Sequence, residues 1–281
     1  MRPQTADSDH EQRSDPSGVA VECEGLTRQF GRFVAVDGID LRIQHGAVFG
    51  VLGRNGAGKS TLIRMLTTLL PPTSGRAYVA GFDVEREAAR VRRAIGYVPQ
   101  ALSADGELTG FENLLLFARL YDLPRAERRA RIAEALAFMD LSDHADRLVK
   151  EYSGGMIRRL EIAQSTLHRP AVLFLDEPTV GLDPLARVAV WNQLKRLGHE
   201  FGTTVVLTTH YLDEAEALCA CIGILHQGRL TALGTPADLK ASIGPGATID
   251  QVFARYTGAE QEDTHGFASA SVERRTADRL G

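Results

Sequence analysis

One short segment combines three glycines with a lysine and two hydroxyl side chains, which are residue types suited to binding phosphate. It matches the pattern G-x-x-x-x-G-K-[ST] and consists of Gly53, Arg54, Asn55, Gly56, Ala57, Gly58, Lys59, Ser60 and Thr61. Because glycine has no Cβ, the backbone can bend until successive N–H groups point at one anion. We expect Lys59 to reach the β- and γ-phosphates of a nucleotide and the Ser60 hydroxyl to bind Mg²⁺.

The residues on either side of this segment support the same interpretation. Val48–Leu52 is an apolar run typical of a buried strand, and Leu62–Leu66 has the pattern of the first turns of a helix. That helix would add the positive end of its dipole to the anion site. A glycine-rich turn with an incidental lysine is the alternative, and the strand–loop–helix context argues against it.

Two adjacent carboxylates follow another apolar run. Ala171–Leu175 is continuously apolar, which is typical of a strand buried on both faces of a parallel sheet, and Asp176 and Glu177 come directly after it. We expect Asp176 to hold Mg²⁺, mostly through water, and Glu177 to act as the general base that polarises the attacking water. The alternative is a pair of solvated acids at a strand end.

Two further polar residues stand at the ends of predicted strands. Gln100 follows Ala94–Val98, and His210 follows Thr204–Thr209. In open α/β sheets, ligands bind at the carboxyl ends of the strands, so we expect Gln100 and His210 beside Asp176. A lone histidine is more often structural, but this position favours a role in the site.

A second candidate anion site begins at Ser153, Gly154 and Gly155. Serine is a good N-cap residue, and the two glycines leave backbone N–H groups bare at a helix N-terminus. An ordinary capped helix has the same pattern, so the residues alone leave both interpretations open.

Phe30 lies next to Gly31, in a segment rich in turn residues. An exposed ring at this point could stack on adenine. Most phenylalanines belong to the core, however, and the spacing by itself favours a core position.

Composition and charge are those of an ordinary globular chain. The 281 residues are 44% hydrophobic and 24% charged, with a net charge of −4 and a pI of about 6.1, which gives no indication of a nucleic-acid partner. The three cysteines form no CxxC pair and no zinc-binding spacing, and scattered thiols are typical of a reducing cytoplasm. No apolar run approaches the roughly 20 residues that cross a bilayer, and Met1–Gly18 lacks the apolar core of a signal peptide.

The predicted organisation is one main domain with short extensions. Residues 1–18 are expected to form a disordered tail, residues 235–257 a short appendage and residues 258–281 a second disordered tail. The main domain, 19–234, begins with half-exposed antiparallel strands at Val19–Cys23 and Ile39–Ile43 and contains a helical subdomain at about 101–167.

Together these segments resemble the ATP-binding subunit of an ABC transporter from about Val19 to Gly234. The motifs that carry the resemblance are the Walker A segment Gly53–Thr61, the Q-loop residue Gln100, the signature motif Tyr152–Met156, the Walker B segment Val172–Glu177, the D-loop Gly181–Asp183 and the switch histidine His210. Phe30 falls where the family places its adenine-stacking aromatic residue, so the resemblance implies adenine binding in place of a core role.

The resemblance implies an α/β P-loop NTPase fold with a RecA-like core sheet, an antiparallel β subdomain and an inserted helical subdomain. It implies ATP hydrolysis with Mg²⁺, with Gln100 joining Ser60 and Asp176 as metal-binding residues. Gln100 and His210 would assist Glu177 in catalysis. The family works as head-to-tail dimers on a membrane permease, so we expect a homodimer, a separately encoded multi-spanning permease and a peripheral location at the cytoplasmic face of the cell membrane.

The signature motif departs from the commoner Leu-Ser-Gly-Gly-Gln form, since Tyr152 and Met156 flank the Ser-Gly-Gly core. This form is similar to that of bacterial exporters of the daunorubicin-resistance type, which implies export of a hydrophobic drug or antibiotic. The missing glutamine amide leaves the role of Met156 open. An importer, another export system and a soluble ABC protein are the alternatives, and the single phosphate loop argues against the soluble class.

Overall fold

A computed structural model of the chain describes residues 18–258. The predicted disordered tails, 1–18 and 258–281, therefore lie almost entirely outside the described residues. Within the described range there are ten strands: β1 (Val19–Phe30), β2 (Phe33–Gln44), β3 (Val48–Leu52), β4 (Ser74–Val79), β5 (Phe82–Asp83), β6 (Ile95–Val98), β7 (Val172–Asp176), β8 (Thr204–Thr209), β9 (Cys221–His226) and β10 (Arg229–Gly234).

Nine α-helices occur in the same range: α1 (Lys59–Leu66), α2 (Ala88–Ala94), α3 (Gly110–Leu120), α4 (Arg125–Phe138), α5 (Gly154–Thr166), α6 (Pro184–Phe201), α7 (Leu212–Leu218), α8 (Pro236–Ala241) and α9 (Ile249–Thr257). Between residues 18 and 258, no helix has the length and apolar character needed to cross a membrane.

Four strands form an antiparallel sheet in the order β2-β1-β4-β5. Both β1 and β2 are longer than the predicted strands Val19–Cys23 and Ile39–Ile43. A register shift between Cys23 and Leu26 interrupts the alternation of apolar and polar side chains, although the pairing of the two strands continues beyond it. The alternation therefore marks only part of each strand.

The second sheet has six strands in the order β10-β9-β3-β8-β7-β6. The strands from β9 to β6 are parallel, and β10 pairs antiparallel with β9. Strands β3, β7 and β8 are buried along their whole length, as is typical of the inner strands of a parallel sheet that is covered on both faces. The loops after β3, β6, β7 and β8 all leave the same edge, and the expected P-loop NTPase fold class is confirmed.

Two apolar cores cover opposite faces of this parallel sheet. Phe49, Phe174 and Val206 belong to the core that also holds side chains of β1, β2 and α1. Leu173 and Leu207 belong to the core that holds side chains of α3 to α7. Alternate residues of the same strands thus anchor the antiparallel sheet on one side and the helices on the other.

The stretch 101–167 contains α3, α4 and α5. Its first helix, α3, begins with a capping box. The Thr109 hydroxyl accepts a hydrogen bond from the Glu112 N–H at 3.1 Å, and the Glu112 carboxylate accepts one from the Thr109 N–H at 2.9 Å. This reciprocal cap fixes where α3 starts, shortly after the segment that carries Gln100.

Helix α1 ends at Leu66, five residues before Pro71. The cause is Thr68, whose φ of +63° cannot continue an α-helix. At the other end of the described range, Leu239 and Val252 of α8 and α9 are buried in the core beside β9 and β10. The predicted appendage therefore packs against the main body.

Candidate active site

The phosphate loop adopts a conformation that its glycines make possible. Gly56 and Gly58 have φ values of +81° and +107°, which side chains rarely tolerate. A Cβ on Gly58 would lie 2.4 Å from the Ala35 carbonyl oxygen, and one on Gly53 would lie 2.6 Å from that of Leu225. Replacing any of these three glycines would thus strain the turn or push the loop away from the backbone segments that support it.

The other residues of the loop divide between its outer and inner sides. Arg54 and Asn55 are exposed at the crest, whereas Ala57 is buried and Thr61 is half-buried. Helix α1 begins after Gly58 with no side-chain cap and no acidic residue in its first turn. Its backbone N–H groups therefore remain available to an anion.

Lys59 lies in the interior of the site. Its Nζ donates to the Gly53 carbonyl at 2.8 Å and forms an ion pair with Glu177 Oε1 at 3.0 Å, and 4% of its side chain is exposed. A charge this deeply buried needs partners of this kind to offset its lost hydration. The loop thus holds one ammonium group in a defined place beside its own backbone.

Two hydroxyl groups donate hydrogen bonds to one carboxylate oxygen of Asp176. The Ser60 hydroxyl donates to Asp176 Oδ1 at 3.0 Å, and the Thr208 hydroxyl donates to the same oxygen at 2.6 Å. The Thr208 hydroxyl also accepts from the Glu177 N–H at 2.9 Å. The Thr208 hydroxyl, on the neighbouring strand, therefore fixes both the Asp176 carboxylate and the backbone of Glu177.

Sequence reasoning missed Thr208. It pairs with Asp176 in the register of β7 and β8, and its hydroxyl is completely buried. Its only signal in the sequence is a threonine near the end of a β-branched strand, which strand preference alone explains. The register of the two strands, a long-range property, is what makes it part of the site.

Glu177 is the point on which the predicted residues converge. Besides Lys59, the Gln100 amide donates from Nε2 to Glu177 Oε2 at 3.3 Å, and His210 Nδ1 lies 3.3 Å from Glu177 Oε1 without hydrogen-bond geometry. Glu177 has a φ of +49°, which is uncommon for a residue with a side chain and is found at functional sites. The expected group of Gln100, Asp176, Glu177 and His210 is present at the sheet edge.

Ser153, Gly154 and Gly155 lie outside this cluster. The Ser153 hydroxyl caps α5 by accepting from the Met156 N–H at 3.3 Å. Ser153 and Gly154 are exposed, whereas Gly155 is buried against α6. A Cβ on Gly155 would lie only 2.7 Å from that of Ala186 on α6. The helix N-terminus is thus accessible to another molecule.

Tyr152 explains one departure of the signature motif. Its ring is buried, and its hydroxyl donates to the His144 carbonyl at 2.5 Å. A Cβ on Gly110 would lie 2.3 Å from that hydroxyl, so the first residue of α3 leaves room for it. The tyrosine therefore packs the helical region and does not face an incoming ligand.

Phe30 is 44% exposed at the end of β1, so the core position favoured by its spacing is wrong. The Arg28 guanidinium lies 4.6 Å from the centre of its ring. One face of the ring is therefore covered by a cation, while the side chain stays accessible to a planar ligand.

Comparisons with known proteins identify the family of this chain. The profile of the ABC transporter family matches residues 36–180. The daunorubicin resistance ATP-binding protein DrrA3 of Streptomyces coeruleorubidus is 49% identical over 233 residues, covering 83% of this chain and 73% of that protein. The daunorubicin/doxorubicin resistance ATP-binding protein DrrA of Streptomyces peucetius is 50% identical over 225 residues, covering 80% and 68%.

A solved structure described as the ATP binding subunit of an ABC transporter has the same fold. It superimposes with a TM-score of 0.75 at 29% sequence identity and covers 84% of this chain and 99% of that one. The family profile, the sequence identity and the shared fold thus agree, and the chain belongs to the ABC transporter family as an ATP-binding, ATP-hydrolysing subunit.

Proposed function

We propose that this chain uses ATP hydrolysis at the Glu177 cluster to drive export of a hydrophobic drug or antibiotic through a separately encoded membrane permease. The observation that carries the catalytic part is the convergence of Lys59, Gln100 and His210 on the Glu177 carboxylate. A base, a phosphate-binding cation and two polar groups that can hold a water molecule are the parts that phosphoryl transfer to water needs.

We assign phosphate binding to Lys59 and to the backbone N–H groups at the start of α1. The γ-phosphate of ATP carries more charge than the Glu177 carboxylate and would replace it as the partner of the Lys59 ammonium. Glu177 would then be free to accept a proton from water. ATP binding and activation of Glu177 are coupled, because Lys59 exchanges the Glu177 carboxylate for the γ-phosphate.

Mg²⁺ fits the oxygen atoms that the site presents. Ser60 Oγ and Asp176 Oδ1 are hard oxygen donors 3.0 Å apart, which is the chemistry that Mg²⁺ prefers. We assign the metal to Ser60, Asp176 and the side-chain oxygen of Gln100. Bound there, the ion would neutralise charge on the β- and γ-phosphate oxygens.

In the hydrolytic step, Glu177 takes one proton from a water molecule whose oxygen attacks the γ-phosphorus. The bond from that phosphorus to the bridging oxygen of ADP breaks as the new bond forms. His210 and Gln100 lie next to the carboxylate and hold the water in line. Removing the base is expected to lower the rate far more than the affinity for ATP.

The exposed N-terminus of α5 supports a homodimer in which each ATP lies between two chains. Ser153 and Gly154 point outward, and an apolar surface adjoins them on α6, where Leu185 is 84% and Val188 is 47% exposed. Apolar side chains this exposed are typical of a surface that another protein covers. A second copy in head-to-tail orientation would bring Ser153–Gly155 to the γ-phosphate held by Lys59.

The permease is expected to dock beside the Gln100 segment. Leu102, Leu116 and Leu120 are 53%, 44% and 66% exposed. Leu116 and Leu120 are one turn apart on α3 and share a face. A permease helix covering these leucines would place the chain at the cytoplasmic face of the membrane and would sense the loop that carries Gln100.

The drug class rests on the names of the relatives, two of which are resistance proteins for daunorubicin. The test uses inverted membrane vesicles from cells that express this chain with the permease of its own host. ATP-dependent accumulation of daunorubicin, lost in Glu177→Gln, would support the proposal. ATP hydrolysis without accumulation of daunorubicin or of any other hydrophobic drug or antibiotic tried would overturn the drug assignment and leave the assignment as an ATPase unaffected.

The docking surface is tested in the same vesicles by a photo-crosslinker placed at Leu120→Cys. Crosslinks to the permease from this position support the proposed surface. A crosslinker at Lys240→Cys, on α8, is the matched control. Crosslinks that arise from Lys240→Cys and not from Leu120→Cys would show that the permease docks on the C-terminal helices.

A further inference from the structure

A buried ion pair outside the Glu177 cluster joins two parts of the chain that the proposed mechanism uses separately. Arg158 and Glu161 lie one turn apart on α5, with 3% and 2% of their side chains exposed, and Arg158 Nη1 lies 2.9 Å from Glu161 Oε2. Both residues belong to the first three turns of the helix that starts at Ser153.

Arg158 holds the backbone of the segment that carries Gln100. Its two terminal nitrogens donate to the Pro99 and Gln100 carbonyl oxygens, each at 2.8 Å. The planar guanidinium makes this fork with a defined direction. The peptide groups on both sides of the Gln100 Cα are thus tied to α5.

Glu161 holds the next part of the same loop. Its Oε1 accepts hydrogen bonds from the Ser103 N–H, from the Ser103 hydroxyl at 3.1 Å and from the Ala104 N–H at 3.3 Å. Between Arg158 and Glu161, four residues of the loop from Pro99 to Ala104 are bound to one helix.

These contacts are difficult to break singly. Removing one partner of a buried ion pair leaves an uncompensated charge, which is strongly destabilising. The loop and the helix are therefore expected to shift together, because sliding one past the other would break the five hydrogen bonds that Arg158 and Glu161 make to the loop.

The two ends of this unit are functional in the proposed mechanism. Gln100 contacts Glu177 at 3.3 Å, and Leu102, in the same loop, is 53% exposed where the permease is expected to dock. Ser153 caps the other end of the unit, eight residues before Glu161, which is about 12 Å along an α-helix. A helix of this length transmits a displacement with little bending.

We propose that Arg158 and Glu161 are positioning residues that join the 99–104 loop to the N-terminal turns of α5, so that Gln100 and Ser153 move as one unit. This inference rests on the proposed roles of Gln100 and Ser153. A displacement of Gln100 at the chain's own ATP site would then displace the N-terminus of α5, which contributes to the ATP site shared with the partner chain. A movement of the permease at Leu102 would likewise displace both Gln100 and Ser153.

The test is a double-mutant cycle on the full chain, measured as steady-state hydrolysis of Mg-ATP. The main variant carries Arg158→Leu and Glu161→Leu together, because replacing both partners by apolar residues avoids an unpaired buried charge. We expect kcat to fall about 10- to 100-fold, the loss that a small misplacement of catalytic groups causes. KM for ATP is expected to stay within about twofold, since the Walker A contacts are untouched.

The same two substitutions are then made in a Gln100→Ala chain. If the pair acts by positioning Gln100, they cause no further loss of kcat there, because the group they position is gone. A merely structural pair would lower kcat by the same factor in both backgrounds. That additive result, or an unchanged kcat in the first variant, would overturn the proposal.

The coupling of the two ends is measured by a second cycle. Gln100→Ala and Ser153→Ala are expected to be non-additive in the parent chain and additive in the Arg158→Leu/Glu161→Leu chain. Additivity in both chains would show that the ends are not coupled, and non-additivity in both would show that the pair does not couple them.

Two further variants serve as controls for misfolding and for general effects of substitution on α5. Arg158→Lys keeps the charge next to Glu161 but loses the fork to two carbonyls, and we expect it to fold and to have an intermediate kcat. Arg159→Gln is the matched control, because Arg159 is the neighbouring residue and donates to the Met139 carbonyl at 2.8 Å instead of the loop. Normal kcat in Arg159→Gln would show that substitution on α5 does not by itself lower activity. Loss of ATP hydrolysis in the parent would count against the proposed function, whereas failure of the mutant cycles in an active parent would count against this inference alone.

Discussion

The Lys59 ammonium and the Glu177 carboxylate form a buried ion pair, with Nζ and Oε1 3.0 Å apart and 4% and 8% of the side chains exposed. Lys59, which we assign to phosphate binding, and Glu177, which we assign to activating water, thus form an ion pair with each other. A nucleotide that takes over Lys59 changes the electrostatic surroundings of Glu177 at the same moment. The base is therefore expected to become available only when its substrate is bound.

Lys59→Ala is expected to weaken ATP binding by about 10- to 100-fold, since it removes a charge-assisted contact to phosphate. Equilibrium binding of a fluorescent ATP analogue measures the change. The substitution also leaves the Glu177 carboxylate buried without its cation, so the control is Lys59→Ala combined with Glu177→Gln, which removes that unpaired charge. Normal affinity in both variants would show that the lysine does not bind phosphate.

Phe30→Ala is expected to weaken ATP binding by about 1–3 kcal/mol, the usual contribution of stacking on a base. Phe30→Tyr keeps the ring and is expected to bind ATP as the parent does. Calorimetric titration with ATP and with inorganic triphosphate separates base stacking from phosphate contacts, because only the ATP titration should change. Equal affinity of Phe30→Ala and the parent for ATP would remove the ring from the adenine site.

Mixed dimers test whether each ATP site is shared between two chains. One chain carries Lys59→Ala and the other carries Ser153→Arg. If sites are shared, one site collects both substitutions and the other stays intact, so the mixed dimer retains one working site. If each chain builds its own site, every site is damaged. A stable mixed dimer without any intact nucleotide site would contradict the shared arrangement.

His168 predicts a pH dependence of folding stability. Burial lowers its pKa from 6.5 to about 4, only partly offset by its contact with the Ile95 carbonyl oxygen, and its ring stacks on Tyr121. The unfolded chain therefore binds a proton that the folded chain resists. Stability that is present above about pH 6.5 is lost as the pH falls toward 4, by up to about 3 kcal/mol.

Urea unfolding of the parent and of His168→Gln between pH 7 and pH 4 measures this contribution. The difference between the two chains should shrink or reverse as the pH falls, because glutamine does not titrate. The other titrating groups are common to both chains and cancel in the difference. A difference in unfolding free energy that is constant with pH would show that His168 titrates normally in the folded state.

The phosphate loop and the two carboxylates could be predicted from the sequence because their chemistry is local. In Gly53–Thr61, the glycines, Lys59 and Ser60 stand at the spacing that phosphate and Mg²⁺ binding requires, and Asp176 and Glu177 stand at the end of the strand that buries them. The expected positions of Gln100 and His210 followed from one general property of parallel sheets, namely that the carboxyl ends of the strands share an edge.

Other parts of the site depend on long-range packing that no local pattern contains. Thr208 joins the site only through its register with Asp176. Arg158 and Glu161 read as polar positions on an amphipathic helix, yet both are buried against a loop nearly 60 residues earlier in the chain. The exposure of Phe30 depends on how far β1 extends, and the spacing of apolar residues led to the wrong expectation there.

The most direct test of the account is the hydrolysis rate of Glu177→Gln. Glutamine keeps the size and hydrogen-bonding capacity of the side chain but cannot accept a proton from water. With radiolabelled ATP and Mg²⁺, we expect this variant to bind ATP at least as tightly as the parent, because Lys59 no longer has to give up a carboxylate partner, and to turn it over roughly 10²- to 10⁴-fold more slowly. Turnover within a few-fold of the parent, at equal ATP binding, would contradict the assignment of Glu177 as the general base.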